Sequence, residues 1–365
     1  MSTKLLMLGA LLGTVCLTVP STVSSATEVP DVGPQFESGG PLTFGPDGVL
    51  FAADIKAATI YALELGDAAA GKTPGVVSIP AIDQKIAALL GTSPQEIAVS
   101  DLAVDPKSKN VFLSVTRGQG AGAQPVLLRV DGAGAIEVVS LSSVPYTKVA
   151  LPNPPQSNPG DNRDPGLLSI TDMAYTEGRL FIAGLSNEEF ASKLRSVRYP
   201  FENIDQGASV EIWHGSHGEW ETRSPVYAFV PYEIDNQPHL VAGYLCTPLV
   251  KFPLADLKAG EKVVGTTIAE LGNRNRPIDM VVYEKDGKDY LLMSNTSRGV
   301  MKIPTEGFGS QAPITSPIQD KAGIAYQTIA TMTGVEQLDL LDDSRVIIAA
   351  RTDAGVLNLE TVELP

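Results

Sequence analysis

Three aspartates occupy matching points of a recurring pattern: Asp101 in SDLAV, Asp172 in TDMAY and Asp279 in IDMVV. Gathered in one place, such carboxylates suit a hard divalent cation such as calcium, which prefers oxygen ligands. Eight of the twelve arginines offer a second chemistry. They are Arg117, Arg163, Arg195, Arg198, Arg274, Arg276, Arg298 and Arg351, and Asn187 and Asn295 stand in similar polar turns. A guanidinium presents paired donors to a carboxylate or phosphate, so a rim of these residues would take a small anionic molecule or a segment of a partner protein.

A third set is His214-Gly-Ser-His217, half a metal site in a chain with three histidines. Tyr244 and Cys246 stand two apart, on one side of a strand. With histidines beside them they would make a tyrosine–cysteine copper site. Each set also has a plainer role. Aspartates at strand starts cap loop amides, Asp and Arg pair with one another, and a free cysteine is most often buried. No nucleophile elbow, phosphate-binding glycine loop, HExxH or CxxC occurs.

The elements that must position these residues come from a repeat. PLTFGPDGVLFAADI from Pro41, SDLAVDPKSKNVFLSVTRG from Ser100 and ITDMAYTEGRLFIAGLSN from Ile170 share one strand–turn–strand pattern. PIDMVVYEKDGKDYLLMSN from Pro277 and VEQLDLLDDSRVIIAARTD from Val335 repeat it, and HLVAGYLCTPLVKF from His239 aligns without gaps on YLLMSNTSRGVMKI from Tyr290. Six units about 50–70 residues apart fit the blades of an all-β, six-bladed β-propeller with four-stranded blades. The last unit ends after its third strand, so a segment near Val29–Phe36 is expected to close the ring. Two helices are expected, Asp83–Leu90 and Asn187–Val197. The second lies in a lid-like insertion, 186–206, with Phe190, Leu194 and Val197 on one side.

Antiparallel strands send alternate loops to opposite faces. First-strand starts and second-strand ends share one face, here called upper. That puts Asp101, Asp172 and Asp279 at the channel mouth, with Glu336 and the eight arginines around it. Counting Val210–Trp213 as a third strand puts His214 and His217 on the lower face. Cys246, at a second-strand end, falls on the upper face, so a shared His/Cys site is not expected.

Lys4, the apolar run Leu5–Val19 and the small residues Ser24 and Ala26 read as a cleaved signal peptide over 1–26. A secreted or periplasmic domain, 27–365, should follow, without membrane insertion. The formal charge of −15 disfavours nucleic acid as a partner.

The units, GPDGVLFAADIKAATIYAL from Gly45 above all, resemble the six-bladed propellers of the gluconolactonase and NHL-repeat superfamily. SNEEFASKLRSVRYPF, GYLCTPLVKF and SNTSRGVMKI are also similar to a group of uncharacterised secreted bacterial proteins. The gluconolactonase resemblance implies a divalent ion at the channel held by Asp101, Asp172 and Asp279. It also implies lactone or ester hydrolysis with Asp172 as the base. Three readings follow: an anion- or partner-binding module, a metal-dependent lactonase or esterase, and a structural assembly component.

Overall fold

The computed structural model describes residues 33–66, 75–158, 161, 164–246 and 248–365. The expected signal peptide and Arg163 lie outside them. Among the described residues no helix is long and apolar enough to cross a membrane.

Six antiparallel sheets form the blades of a propeller. Blade A pairs Leu42–Phe44, Val49–Asp54, Thr59–Glu64 and Tyr146–Ala150; blade B pairs Ile97–Val104, Val111–Arg117, Gln124–Val130 and Ile136–Val138. Blade C pairs Asp172–Thr176, Arg179–Leu185, Ser192–Arg198 and Ala208–His214. It gains Glu219–Glu221 and, in parallel, Lys262–Val264 at its edge. Blade D pairs Val226–Ile234, Gln237–Tyr244, Pro248–Pro253 and Thr266–Leu271, with Lys321–Gly323 outside them. Blade E pairs Pro277–Lys285, Lys288–Asn295, Val300–Pro304 and Gln327–Ile329; blade F pairs Val335–Asp342, Arg345–Arg351, Leu357–Glu363 and Ser78–Ile79.

The second strands are buried almost throughout, Val49–Asp54 at every position. Both faces of each blade pack on a neighbour, so apolar residues run without alternation. One core cluster joins Phe181, Leu194 and Ile212 of blade C to Phe229, Tyr244 and Phe252 of blade D. Another joins Phe51 and Ile60 of blade A to Met173 and Ile182 of blade C.

Ring order differs from chain order. The innermost strands touch in the circuit B, A, C, D, E, F and back to B. The chain lays down three strands of blade A and passes to the outer edge of blade F as Ser78–Ile79. It then follows helix Ile82–Leu90 into blade B, and returns to finish blade A with Tyr146–Ala150. The ring is therefore closed at two seams, and by a strand later in the chain than expected. Residues 33–36 form no strand; 29–32 lie outside the described residues. Ile79 pairs Leu359 and Ser78 pairs Glu360. Val77 N–H donates to Thr361 Oγ1 at 3.0 Å, and Ala81 N–H to Asn358 Oδ1 at 3.0 Å. Gln35, by contrast, accepts from Tyr61 Oη at 2.7 Å, which ties 33–36 to blade A as an irregular strap.

The helix over 82–90 is present, but the one over 187–197 is not: Ser192–Arg198 is the third strand of blade C. Its neighbours bury it on both sides, so Lys193 and Arg195 are as enclosed as Leu194 and Val197. That burial hides the alternation a strand normally shows.

The seam gives a stability prediction. Ile79 is buried in the cluster shared by blades B and F. Ile79→Ala should cost about 2–4 kcal/mol in urea unfolding. Exposed Val138→Ala, in an ordinary outer strand, should cost under about 0.5 kcal/mol. Equal losses would show that the closing strand bears no special load.

Candidate functional site

Two places gather polar side chains. The first is the channel. Asp101, Asp172 and Asp279 line a cavity of about 280 Å³ together with Asp339, which the sequence reading missed. Each carboxylate accepts the next residue's N–H and one from the neighbouring blade. Asp101 takes Leu102 at 2.8 Å and Leu42 of blade A at 2.6 Å. Asp172 takes Met173 at 2.7 Å and Phe229 of blade D at 2.6 Å; Asp279 takes Met280 at 2.8 Å and Leu338 of blade F at 2.9 Å. Asp339 takes Leu340 and Val104 of blade B, both at 2.7 Å. The signal was present: Asp followed by Leu or Met in an inner strand occurs at all four positions. The carboxylates act as fasteners between blades. Among the described residues, they do not form a group whose ligand atoms all lie within 4.8 Å of one another.

The arginines are dispersed. Arg351 holds Glu336 through two bonds of 2.6 and 2.9 Å, and Arg298 holds Asp320 at 3.1 Å. Arg276 lies over the Tyr227 ring, and Arg117 and Arg274 belong to the same face. Asn295 caps its own turn, accepting from Arg298 N–H at 2.8 Å, and Asn187 N–H donates to Asn153 O. Arg195 is buried in mid-strand, and Arg198 ends its strand at the lower face. The insertion is therefore part of blade C and does not lie across the mouth as a helical lid.

The second place follows from the same extra strand. With Ser192–Arg198 third in blade C, Ala208–His214 is fourth and runs towards the upper face. The hairpin His214–Glu219 thus emerges beside the end of Gln237–Tyr244 in blade D, where Cys246 lies. The expected separation is reversed: ligand atoms of His214, His217 and Cys246 all lie within 4.8 Å of one another.

Local geometry builds this cluster. His214 O accepts from His217 N–H at 3.1 Å and from Gly218 N–H at 2.8 Å, a tight turn that Gly218 completes at φ +70°. Gly215 N–H donates to the Glu270 carboxylate of blade D, and a Cβ on Gly215 would come within 2.8 Å of that oxygen. Thr267 Oγ1 donates to Trp213 O at 2.7 Å, so the hairpin is held from two sides. Cys246 takes a left-handed conformation, φ +59°, and its N–H donates to Asn275 O at 2.6 Å.

One carboxylate serves both imidazoles. Glu221 Oε2 lies 2.9 Å from Nδ1 of His214, and Oε1 contacts Nδ1 of His217. Burial alone would raise the Glu221 carboxyl, but the two imidazoles outweigh it and hold the group below its usual range. His214 is fully buried, and neither Nδ1, despite its closeness to Glu221, nor Nε2 makes a well-aligned hydrogen bond. Glu270 Oε2, Ser192 Oγ and Tyr244 Oη are likewise buried without partners. Burial raises the Glu270 carboxyl, and burial with the Glu221 charge raises the Tyr244 phenol. Buried polar atoms are ordinarily satisfied, so these side chains hold unused donors and acceptors at one spot. In a tetrahedral zinc site, nitrogen and sulfur ligands stand roughly 3.3–3.6 Å apart. The three ligand atoms all lie within 4.8 Å of one another, so a side-chain shift of up to about 1 Å would bring them to that spacing.

With this geometry, the chain is a six-bladed β-propeller carrying a His–His–Cys cluster between two blades. Its architecture agrees with the gluconolactonase and NHL-repeat resemblance. No protein-family model and no curated protein matches the chain. Among solved structures, it is similar to the PQQ-bound aldose sugar dehydrogenase of Streptomyces coelicolor at 12% identity and a TM-score of 0.30, covering 92% of this chain and 97% of that one. It is also similar to a putative oxidoreductase (glucose dehydrogenase) of Thermus thermophilus at 14% identity and a TM-score of 0.32, covering 91% and 98%. Similarity at this level carries no argument about activity.

The channel gives a pH prediction. Burial raises Asp101, Asp172 and Asp279 well above the usual carboxylate range, and neighbouring carboxylates add to it. Asp339 is pushed up to about 6 by burial, against the pull of its two amides. A carboxyl raised on folding binds its proton more tightly in the folded state. Its stabilisation is complete below the unfolded value and is lost as pH rises through the folded one. The melting temperature should therefore fall as pH rises from about 4 through about 6, and fall less in Asp339→Asn. A melting temperature that climbs over this interval would contradict the assignment.

Proposed function

We propose that this propeller binds one transition-metal ion, zinc or copper, through His214, His217 and Cys246 at the upper face between blades C and D. The observation that carries the reading is the juxtaposition of three ligand atoms of the right chemistry, with His217 hydrogen-bonded to Glu221 and His214 Nδ1 2.9 Å from the same carboxylate. Imidazole and thiolate form the donor set that borderline and soft ions prefer. At His217 a carboxylate on Nδ1 would set the tautomer and leave Nε2 for a metal, the usual outer support of a metal-binding histidine. Three protein ligands leave a fourth position free, as in catalytic rather than closed structural sites. Tyr244, Ser192 and Glu270 would border it. Export under the leader expected at 1–26 would set this site to work outside the cytoplasm.

An anionic ligand at the channel mouth has thinner support, because Glu336 and Asp320 already occupy Arg351 and Arg298. Hydrolysis at an aspartate-held ion also has less behind it, because each channel carboxylate is engaged by two backbone amides.

Tag-free protein titrated with Co²⁺ as a spectroscopic stand-in tests the proposal. One equivalent should bind and produce thiolate-to-metal absorption that Cys246→Ser abolishes. His214→Ala should remove binding, and Glu221→Gln should weaken it about 10–100-fold. Natively folded protein that takes up no metal, or takes it up equally in all three variants, would overturn the reading.

A further inference from the structure

The hairpin that carries the metal cluster presents a second group of ligands on its outer side. His217, Glu219 and Glu221 each place one ligand atom within 4.8 Å of the others. Strand register gathers them. Glu219 pairs with His214 and Glu221 with Ile212, so both carboxylates stand on the face of the hairpin that carries His214. Trp220, between them, points the other way and meets Trp213. The turn completed by Gly218 folds His217 back onto the carboxylate face. There its Nδ1 contacts Glu221 Oε1, and its ring centroid lies 3.9 Å from that of His214. Unlike the buried cluster, this group opens to solvent: Glu219 is exposed and the His217 side chain is 43% exposed.

No basic side chain offsets these carboxylates. Among the described residues, no lysine or arginine nitrogen lies within 4 Å of Glu219, Glu221 or Glu270. Glu221 and Glu270 are near enough for their charges to repel. Fully buried His214 is aimed at the same spot, its Nδ1 2.9 Å from Glu221 Oε2 with no aligned hydrogen bond. Clustered negative charge beside an imidazole that lacks a partner draws a cation.

We propose that His217, Glu219 and Glu221 form a second, outer site for a hard divalent cation of the manganese type. Two carboxylates, one imidazole and solvent water supply the oxygen-rich donor set such ions take, whereas the thiolate of the buried site selects softer ones. The outer site needs neither Cys246 nor a ligand from His214, so it stands or falls without the buried one. His217 belongs to both groups, so the outer site is complete only while the buried site is empty.

The test uses the tag-free full chain, stripped of metal by a chelator and desalted. Mn²⁺ is titrated in, and binding is read from loss of the free-ion electron paramagnetic resonance signal. Wild type should bind one Mn²⁺. Glu219→Gln alters an exposed position, so it should melt like metal-free wild type, and it should weaken Mn²⁺ about tenfold or more. Cys246→Ser should hold Mn²⁺ as wild type does, because a hard ion gains little from sulfur. Glu219→Gln should in turn keep the Co²⁺ thiolate absorption that Cys246→Ser loses. Wild type that binds no Mn²⁺, Glu219→Gln that binds it as tightly, or Cys246→Ser that loses it would each overturn the outer site. Absence of the Co²⁺ absorption counts against the buried site alone, and the Mn²⁺ titrations still decide the outer one.

Discussion

The innermost strand of a propeller blade has a difficulty that no other strand shares. One edge pairs with the second strand, but the other faces a narrow channel with no sheet to receive its amide protons. A backbone N–H left without an acceptor in such a place is costly. Here four aspartates supply the acceptors, each joining its own strand to the next around the axis. Blade spacing and the depth of the channel follow from this exchange. So does the pH response, because the same carboxylates are partly withdrawn from water while they hold the ring together. They are spread over blades B, C, E and F, so only the A–C and D–E junctions rely on packing alone at this level.

Around that axis the outer strands follow a different logic. Blade C carries two additional strands and blade D one, and the additions meet where those blades adjoin. The hairpin from His214 to Glu219 exists because blade C extends beyond the usual four strands, and it meets the ordinary turn at Cys246 between the second and third strands of blade D. At the other end the same two blades splay, and a cleft lined by Arg179, Lys258, Leu254 and Leu257 opens. Both polar features thus belong to one irregular sector of an otherwise repetitive ring.

Much of the architecture was legible in the sequence because its signals are local. The turn in GPDG, the Asp-Leu and Asp-Met starts and the apolar second strands recur with enough regularity to count six units. Two things were hidden for physical reasons. The order of blades around the ring depends on which edge Ser78–Ile79 joins, and two residues of strand carry no mark of a partner so far along the chain. The strand Ser192–Arg198 was disguised because a residue enclosed by neighbouring blades need not alternate, and because Lys193 and Arg195 read as surface. Miscounting that one strand inverted the direction of everything after it in blade C. It sent His214 and His217 to the wrong end of the molecule and Arg195 to the rim. The histidine motif itself was plain; only the parity of strands decided what it faced.

The route of the chain through blades A and F bears on how the molecule can come into being. Ala81 waits for Asn358, 277 residues further on, before its amide finds its acceptor. Blade A stays one strand short until blade B has been made. A ribosome or a translocation pore releasing this chain from its first residue onward therefore cannot hand over finished blades in turn. The earliest one to emerge is completed only after the second, and the ring closes only when Leu357–Glu363 arrives to pair with Ser78–Ile79.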